Sequence, residues 1–345
     1  MALAPLPAQS ADTPWPTGAW PTGPLPDRVD GDRLTAALDH AFSDPAPADL
    51  GETHAVVIIQ AGRLVTERYG PGRGPDDTCR SWSMAKSITQ ALVGILVGDG
   101  RLDILATADV PEWREAGDPR GAIKLDHLLR MSSGLAFVEA YSPDQPSDVI
   151  EMLFGRGAAD TAAFAAAFPL AHEPGAFFSY SSGTTNIVSR CLARALGGTG
   201  AAFEAFMRER LFAPLGMTSA SPRFDEAGTF IGSSFCFATA RDFARFGLLY
   251  LRDGVWEDRR LLPPAWVDYA RTPTFQQAGC TENPYGAHWW LGMAGPGTFS
   301  ANGYEGQHIL ICPDRDLVVV RNGATPEANQ PLVQTWLAEV AALFA

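Results

Sequence analysis

The sequence predicts an α+β protein: one antiparallel sheet built from both chain ends and flanked by helices, with a mostly helical domain inserted between its halves. Three observations carry this. β-Branched residues cluster on both sides of Ala61-Gly62 in "HAVVIIQAGRLVTERYG", the pattern of two strands around a turn. Four further strand-like runs, "HWWLGM", "GTFSANG", "GQHILIC" and "DLVVVRNG", lie near the other end. Between about 106 and 234 the chain reads as short helices and long loops, with no clear strand.

In chain order, residues 1–30 contain "WPTGAWPTGPLP" and predict an extended Pro- and Gly-rich arm. Residues 31–105 and 235–345 form the α/β domain, and 106–234 the helical one. "DGDRLTAALDHAFSD" spaces leucine and alanine as a helix does. Met84, Ile88, Ala91, Leu92, Ile95 and Leu96 repeat at helical intervals until Asp99-Gly100 stops the pattern. "IKLDHLLRMSSGL" is a helix ending in a turn, and "TTNIVSRCLARALGG" another, closed by two glycines. "ARDFARFGLLYLRDG" predicts an amphipathic helix with Asp242 as its cap, and "PLVQTWLAEVAALFA" a terminal helix.

Composition narrows the function classes. A net charge of −13 over 345 residues offers no basic face for phosphates. No apolar run reaches the roughly eighteen residues that span a bilayer. "MALAPLPAQSADTPW" lacks the basic start and apolar stretch of a signal peptide, so a cytoplasmic protein is expected. Cys79, Cys191, Cys236, Cys280 and Cys312 are odd in number and scattered, which suits reduced thiols. Without a Cys/His cluster or H-E-x-x-H, neither metal nor cofactor is expected.

The chain carries 26 basic residues, and only Lys86 and Lys124 are lysines. Lys86 follows Ser83 by three positions, at the start of a strongly apolar helix. At that spacing it projects from the same face and reaches the serine hydroxyl. Serine needs a base beside it to act as a nucleophile, and lysine serves only when burial or a neighbouring cation lowers its pKa. With 18 serines in the chain, a chance Ser-x-x-Lys is not rare. Context supports this one: it opens a helix just after a strand pair. "EPGAFFSYSSGTTN" adds Tyr180 as a second proton carrier in a loop before a helix. "FSANGYEGQHILICP" offers a strand edge broken by Gly303 and Gly306, where a backbone N–H can face the nucleophile.

With "SWSMAKS", "LDHLLRMSSGL", "EPGAFFSYSS", "ARDFARFGLLYLRDG" and "GYEGQHILICPDRDLVVV" in this order, the chain from about residue 52 onward resembles the serine β-lactamase and penicillin-binding superfamily. It is most similar there to the family VIII carboxylesterases and 6-aminohexanoate-dimer hydrolases. The resemblance implies a β-lactamase-like fold, with Ser83 as the acylated nucleophile, Lys86 as its base and Tyr180 moving protons. Ser182, at the third position of the Y-x-S element, would bond near Lys86 or the substrate. The backbone N–H groups of Ser83 and Tyr304 would form the oxyanion hole. The third motif, usually Lys/His-Thr-Gly or Trp-x-Gly, is Ala301-Asn302-Gly303. Alanine cannot support recognition of a β-lactam carboxylate. The implied activity is therefore a carboxylesterase for small short-chain esters, with weak or no β-lactamase activity. Alternatives are an amide hydrolase, an acyltransferase, or a sensor that acylates without turnover. The partner is a small ester or amide, neither nucleic acid nor membrane, and oligomeric state is open.

Trp82 and Tyr141 are candidate pocket residues with Ser182, Asn302 and Gly303. Trp289, Trp290 and Tyr285 are candidates too, although aromatics near strands are more often core. Glu139 and Glu305 are expected to face solvent or hold a loop. No G-x-S-x-G elbow presents a serine to any of the six histidines; His308, nearest the proposed strand edge, is the one to watch.

Overall fold

The structure is a computed structural model that describes residues 3–141, 145–275 and 284–345. Its main sheet has six strands: β1 (Glu52–Gln60), β2 (Arg63–Tyr69), β3 (Trp290–Leu291), β4 (Phe299–Gly303), β5 (Gln307–Cys312) and β6 (Leu317–Ala324). Their order is β2-β1-β6-β5-β4-β3, with every neighbouring pair antiparallel. N-terminal β1 thus lies against C-terminal β6, pairing Val57 with Val320. β1 and β2 are joined at Ala61 and Gly62, both at positive φ (50° and 74°), the tight hairpin turn compatible with strand twist. "HWWLGM" contributes only Trp290–Leu291 to the sheet.

The strand sequences are continuous apolar runs because helices cover both faces. On one face Val57, Ile59, Ile309, Ile311, Val318 and Val320 join the larger core. The helix Ala240–Leu251 lies there, so close that a Cβ on Gly247 would sit 2.7 Å from Val318. On the other face Val56, Ile58, Leu310 and Val319 pack with Leu34 and Leu38 of α1 (Gly31–Ala41) and with Trp336, Leu337 and Val340 of the terminal helix Gln330–Ala342.

Two expectations about Ala240–Leu251 change. Its only unburied residue is Arg241, so it is wrapped on all sides instead of half-exposed. Its cap is Thr239, whose side chain accepts from the Asp242 N–H. Asp242, one turn in, instead accepts from the Ser219 N–H and hydroxyl and pairs with Arg245. Buried polar groups need partners, and these satisfy one another, with Arg245 also reaching backbone carbonyls of the N-terminal arm.

Residues 3–30 run extended along the protein's own surface. Arg245 donates to the carbonyls of Pro16 and Gly18, and Thr22 bridges Leu64 on edge strand β2. Cys79, Cys191, Cys236 and Cys312 are buried and unbridged; Cys280 lies outside the described residues. No helix among the described residues is long and apolar enough to cross a membrane.

Candidate active site

The helix α2 (Ala85–Gly98) is preceded by a 3₁₀ turn, Trp82–Met84. Ser83 therefore sits at the mouth of an apolar helix whose first twelve residues are all buried. Just before it, Trp82 adopts φ 44°, a left-handed conformation that a bulky residue keeps only under tertiary constraint. The constraint is visible: its indole N–H donates to Glu305 at 2.8 Å, and its ring meets Tyr304, Phe235 and the Arg80 guanidinium. Glu305, itself at φ 62°, thus holds a loop and does not simply face solvent.

Lys86 is 1 % exposed. Its ammonium donates to Ser83 Oγ at 2.9 Å, Ser182 Oγ at 2.9 Å and the Ser233 carbonyl at 3.0 Å, which uses all three of its protons. It also lies 4.9 Å from the centre of the Tyr180 ring. Burial pushes its pKa down to about 8, opposed in part by the Glu139 carboxylate. The neutral amine, the form that a base for Ser83 requires, is thus far more accessible than in a free lysine. Tyr180 is half-buried at the wall of the cleft, and desolvation together with Glu139 holds its phenol protonated, while the neighbouring Ser83 acts the other way. The structure thus brings Ser83, Lys86, Tyr180 and Ser182 into one network.

Glu139 belongs to that network: of the two expectations, facing solvent or holding a loop, it is the second that the contacts fit. It accepts the Ser182 N–H at 2.7 Å and hydroxyl at 2.6 Å, and the Tyr141 hydroxyl at 2.5 Å. Nothing local marks it, since the contact spans 43 residues of chain. The Tyr spaced two residues after it, already a pocket candidate, is the only hint.

β4 delivers the opposite wall. Gly303 passes so close to the turn before Ser83 that a Cβ there would lie 2.3 Å from the Ser81 carbonyl. No other residue permits that approach. The next residue, Tyr304, borders the same cavities as Ser83, and its ring stacks on Tyr141 at 5.2 Å. Asn302 lines the cleft and accepts from His308 Nδ1 at 3.0 Å. His308 therefore orients Asn302 and does not reach the serine. Burial drives its pKa down to about 3. His288 is likewise buried and neutral, bonding the Leu129 carbonyl and Thr185.

Two cavities meet at Ser83. An open cleft of about 380 Å³ is lined by Tyr180, Trp290, Asn302, Gly303 and residues of the terminal helix region. A small slot of about 80 Å³ is walled by Trp82, Tyr141, Ser182 and the helix Asp148–Phe154. The remaining aromatic candidates divide. Trp290 lines the cleft, and Tyr285 packs against both it and Tyr180. Trp289 is core, against Tyr250 and Phe299. Among the described residues, no group of His, Cys, Asp or Glu is placed to hold a metal ion.

A sheet covered on both faces by helices, with Ser83 open to a cleft beside β4 and Lys86 buried three residues on, defines the class of protein, and comparison with known families agrees. The chain belongs to the beta-lactamase family, whose pattern matches residues 51–342. It is 27% identical over 298 residues to a 6-aminohexanoate-dimer hydrolase of Paenarthrobacter ureafaciens, covering 80% of this chain and 74% of that one. Among solved structures it is similar to a penicillin-binding protein homolog from Caulobacter crescentus, with TM-score 0.73, 20% identity and 94% and 99% of the two chains covered. A family VIII carboxylesterase superposes with TM-score 0.71 at 15% identity, covering 94% and 99%.

Proposed function

We propose that the protein is a serine hydrolase that works through an acyl-enzyme on Ser83, acting as a carboxylesterase on small esters. The observation that carries this is the buried Lys86 ammonium 2.9 Å from Ser83 Oγ, with its pKa brought down to about 8. In the neutral form Lys86 accepts the Ser83 proton as Oγ attacks the ester carbonyl carbon. The N–H groups of Ser83 and Tyr304 receive the developing oxyanion. Tyr180 passes the proton to the departing alcohol, and the C–O bond to that alcohol breaks. Water then adds to the acyl-enzyme, and Ser83 leaves with the proton returned to it.

The position that in β-lactam-binding relatives favours a Lys or His is Ala301, a buried apolar residue. This supports substrates without an obligatory carboxylate, and slow or absent turnover of β-lactams. The amide-hydrolase alternative draws support from the curated relative named above, and it demands more of Tyr180, because an amine must be protonated to leave.

The test is p-nitrophenyl butyrate hydrolysis by the wild type and by Ser83→Ala, with intact mass recorded early in the reaction. A butyryl mass increase in the wild type, absent together with activity in Ser83→Ala, is expected. Activity retained by Ser83→Ala would place the nucleophile elsewhere.

A further inference from the structure

The two cavities differ in chemistry as well as size. The slot is walled by Trp82, Val149, Ile150, Leu153 and Phe154, all apolar, with hydroxyl groups at its Ser83 end. The open cleft holds Glu327, Gln330 and Gln334, and no basic side chain lines it among the described residues. Tyr141 and Tyr304, stacked on each other, border both and divide them. Tyr180 lines only the cleft.

We infer that a substrate is split between these cavities, its acyl chain entering the slot on the helix Asp148–Phe154 and its alcohol lying in the open, acidic cleft. The inference rests on the acyl-enzyme reading of Ser83. Its first support is the position of Tyr180. A leaving group must depart beside the residue that protonates it, and that residue opens on the cleft alone.

The second support is the exposed apolar rim of the slot. Ile150 is 43% and Phe154 59% exposed, and Phe154 meets Phe235 edge-on at 6.1 Å. Apolar side chains left in water at the mouth of a cavity gain burial when a hydrocarbon chain enters. The third is volume. At roughly 10–15 Å³ per water-sized occupant, the 80 Å³ slot takes an acyl chain of about five to eight carbons.

The substrate class is therefore an ester of a short apolar acid with a neutral or cationic alcohol. An anionic alcohol meets Glu327 with no compensating cation among the described lining residues. Glu327 is exposed, so its selectivity is modest and weakens with salt. Chain-length selectivity, set by contact inside the slot, is steeper and salt-independent.

Two substrate series separate these roles. The first is p-nitrophenyl esters from acetate to dodecanoate; the second is butyrylcholine against its uncharged isostere 3,3-dimethylbutyl butyrate. In the wild type, kcat/KM is expected to peak at about five to eight carbons and fall at least about tenfold by dodecanoate, the discrimination that a single unaccommodated methylene already supplies. Phe154→Ala, at an exposed position, should move the peak two or more carbons longer without changing the choline-to-isostere ratio. Glu327→Gln should lower that ratio about two- to threefold, as expected for loss of one exposed charge, and leave the chain-length peak in place.

A chain-length profile unmoved by Phe154→Ala, or moved by Glu327→Gln, would overturn the assignment. If an acyl adduct on Ser83 is still seen by intact mass in that event, the hydrolase reading stands and only the partition fails. Absence of the adduct with every ester would sink both.

Discussion

Glu139 holds Ser182 at two points, accepting its N–H at 2.7 Å and its hydroxyl at 2.6 Å, while Lys86 donates to the same hydroxyl oxygen at 2.9 Å. A carboxylate thus lies one hydroxyl away from the proposed base, and its charge favours the ammonium form of Lys86 while disfavouring the Tyr180 phenolate. Removing that charge should let both groups lose protons at lower pH. Glu139→Gln is therefore expected to shift the acidic limb of the kcat/KM profile downward. An unmoved limb, or an upward shift, would show that the carboxylate does not act on Lys86.

In the unmodified protein the same limb has a defined place. Burial brings Lys86 down to about 8, and only the neutral amine is a base. Activity should rise roughly tenfold between pH 7 and pH 9 as the ammonium empties. Lys86→Arg should lower kcat by at least about a thousandfold, because guanidinium keeps its proton throughout this range. Steady-state rates with p-nitrophenyl butyrate, corrected for spontaneous hydrolysis, measure both.

Gly303→Ala tests the wall opposite Ser83. Its Cβ would lie 2.3 Å from the Ser81 carbonyl and 3.2 Å from the Trp82 side chain, so β4 must retreat. Tyr304 retreats with it, and loss of one oxyanion donor typically costs about 10²–10³ in kcat. A fall of this size, with KM little changed, is expected. Full activity would mean that Tyr304 does not serve the oxyanion.

Arg321 is 1 % exposed and has no carboxylate among its bonding partners. Its guanidinium donates instead to the carbonyls of Glu305, Gly306, Leu50 and Glu52 and to Thr53 Oγ1. Although burial lowers its pKa to about 10, it stays charged at neutral pH. It ties the Tyr304–Gly306 turn to the start of β1. Arg321→Met should leave several buried carbonyls without donors and cost about 3 kcal/mol in urea unfolding. A change under about 0.5 kcal/mol would show that water replaces the guanidinium at no cost.

Tyr180→Phe separates proton handling from binding. Its ring packs on Tyr285 and Trp290, and phenylalanine keeps that packing. Acylation and deacylation rates, resolved by stopped flow, should both fall about a hundredfold. An effect confined to KM would make Tyr180 a wall of the cleft and nothing more.

What could be read from sequence was whatever depends on neighbours along the chain. The period of Ile88, Leu92, Ile95 and Leu96 determined a buried helix. The Ala61-Gly62 turn determined a hairpin, and a lysine three residues after a serine placed the two side chains within hydrogen-bond reach on one face. Because the strands at both ends are short runs of β-branched residues, one sheet from two termini followed as well.

Tertiary structure alone decided the rest, because those contacts join residues distant in sequence. Glu139 reaches Ser182 across 43 positions, and Glu305 steadies Trp82 across 223. Thr239 took the cap expected of Asp242, since Ser219 and Arg245 claim the Asp242 carboxylate. The slot beside Ser83 exists only where the helix Asp148–Phe154 meets the turn at Trp82 and the loop at Tyr304. A local pattern states which residue types stand in a row. It is long-range packing that desolvates Lys86, and only a desolvated lysine is a base near neutral pH.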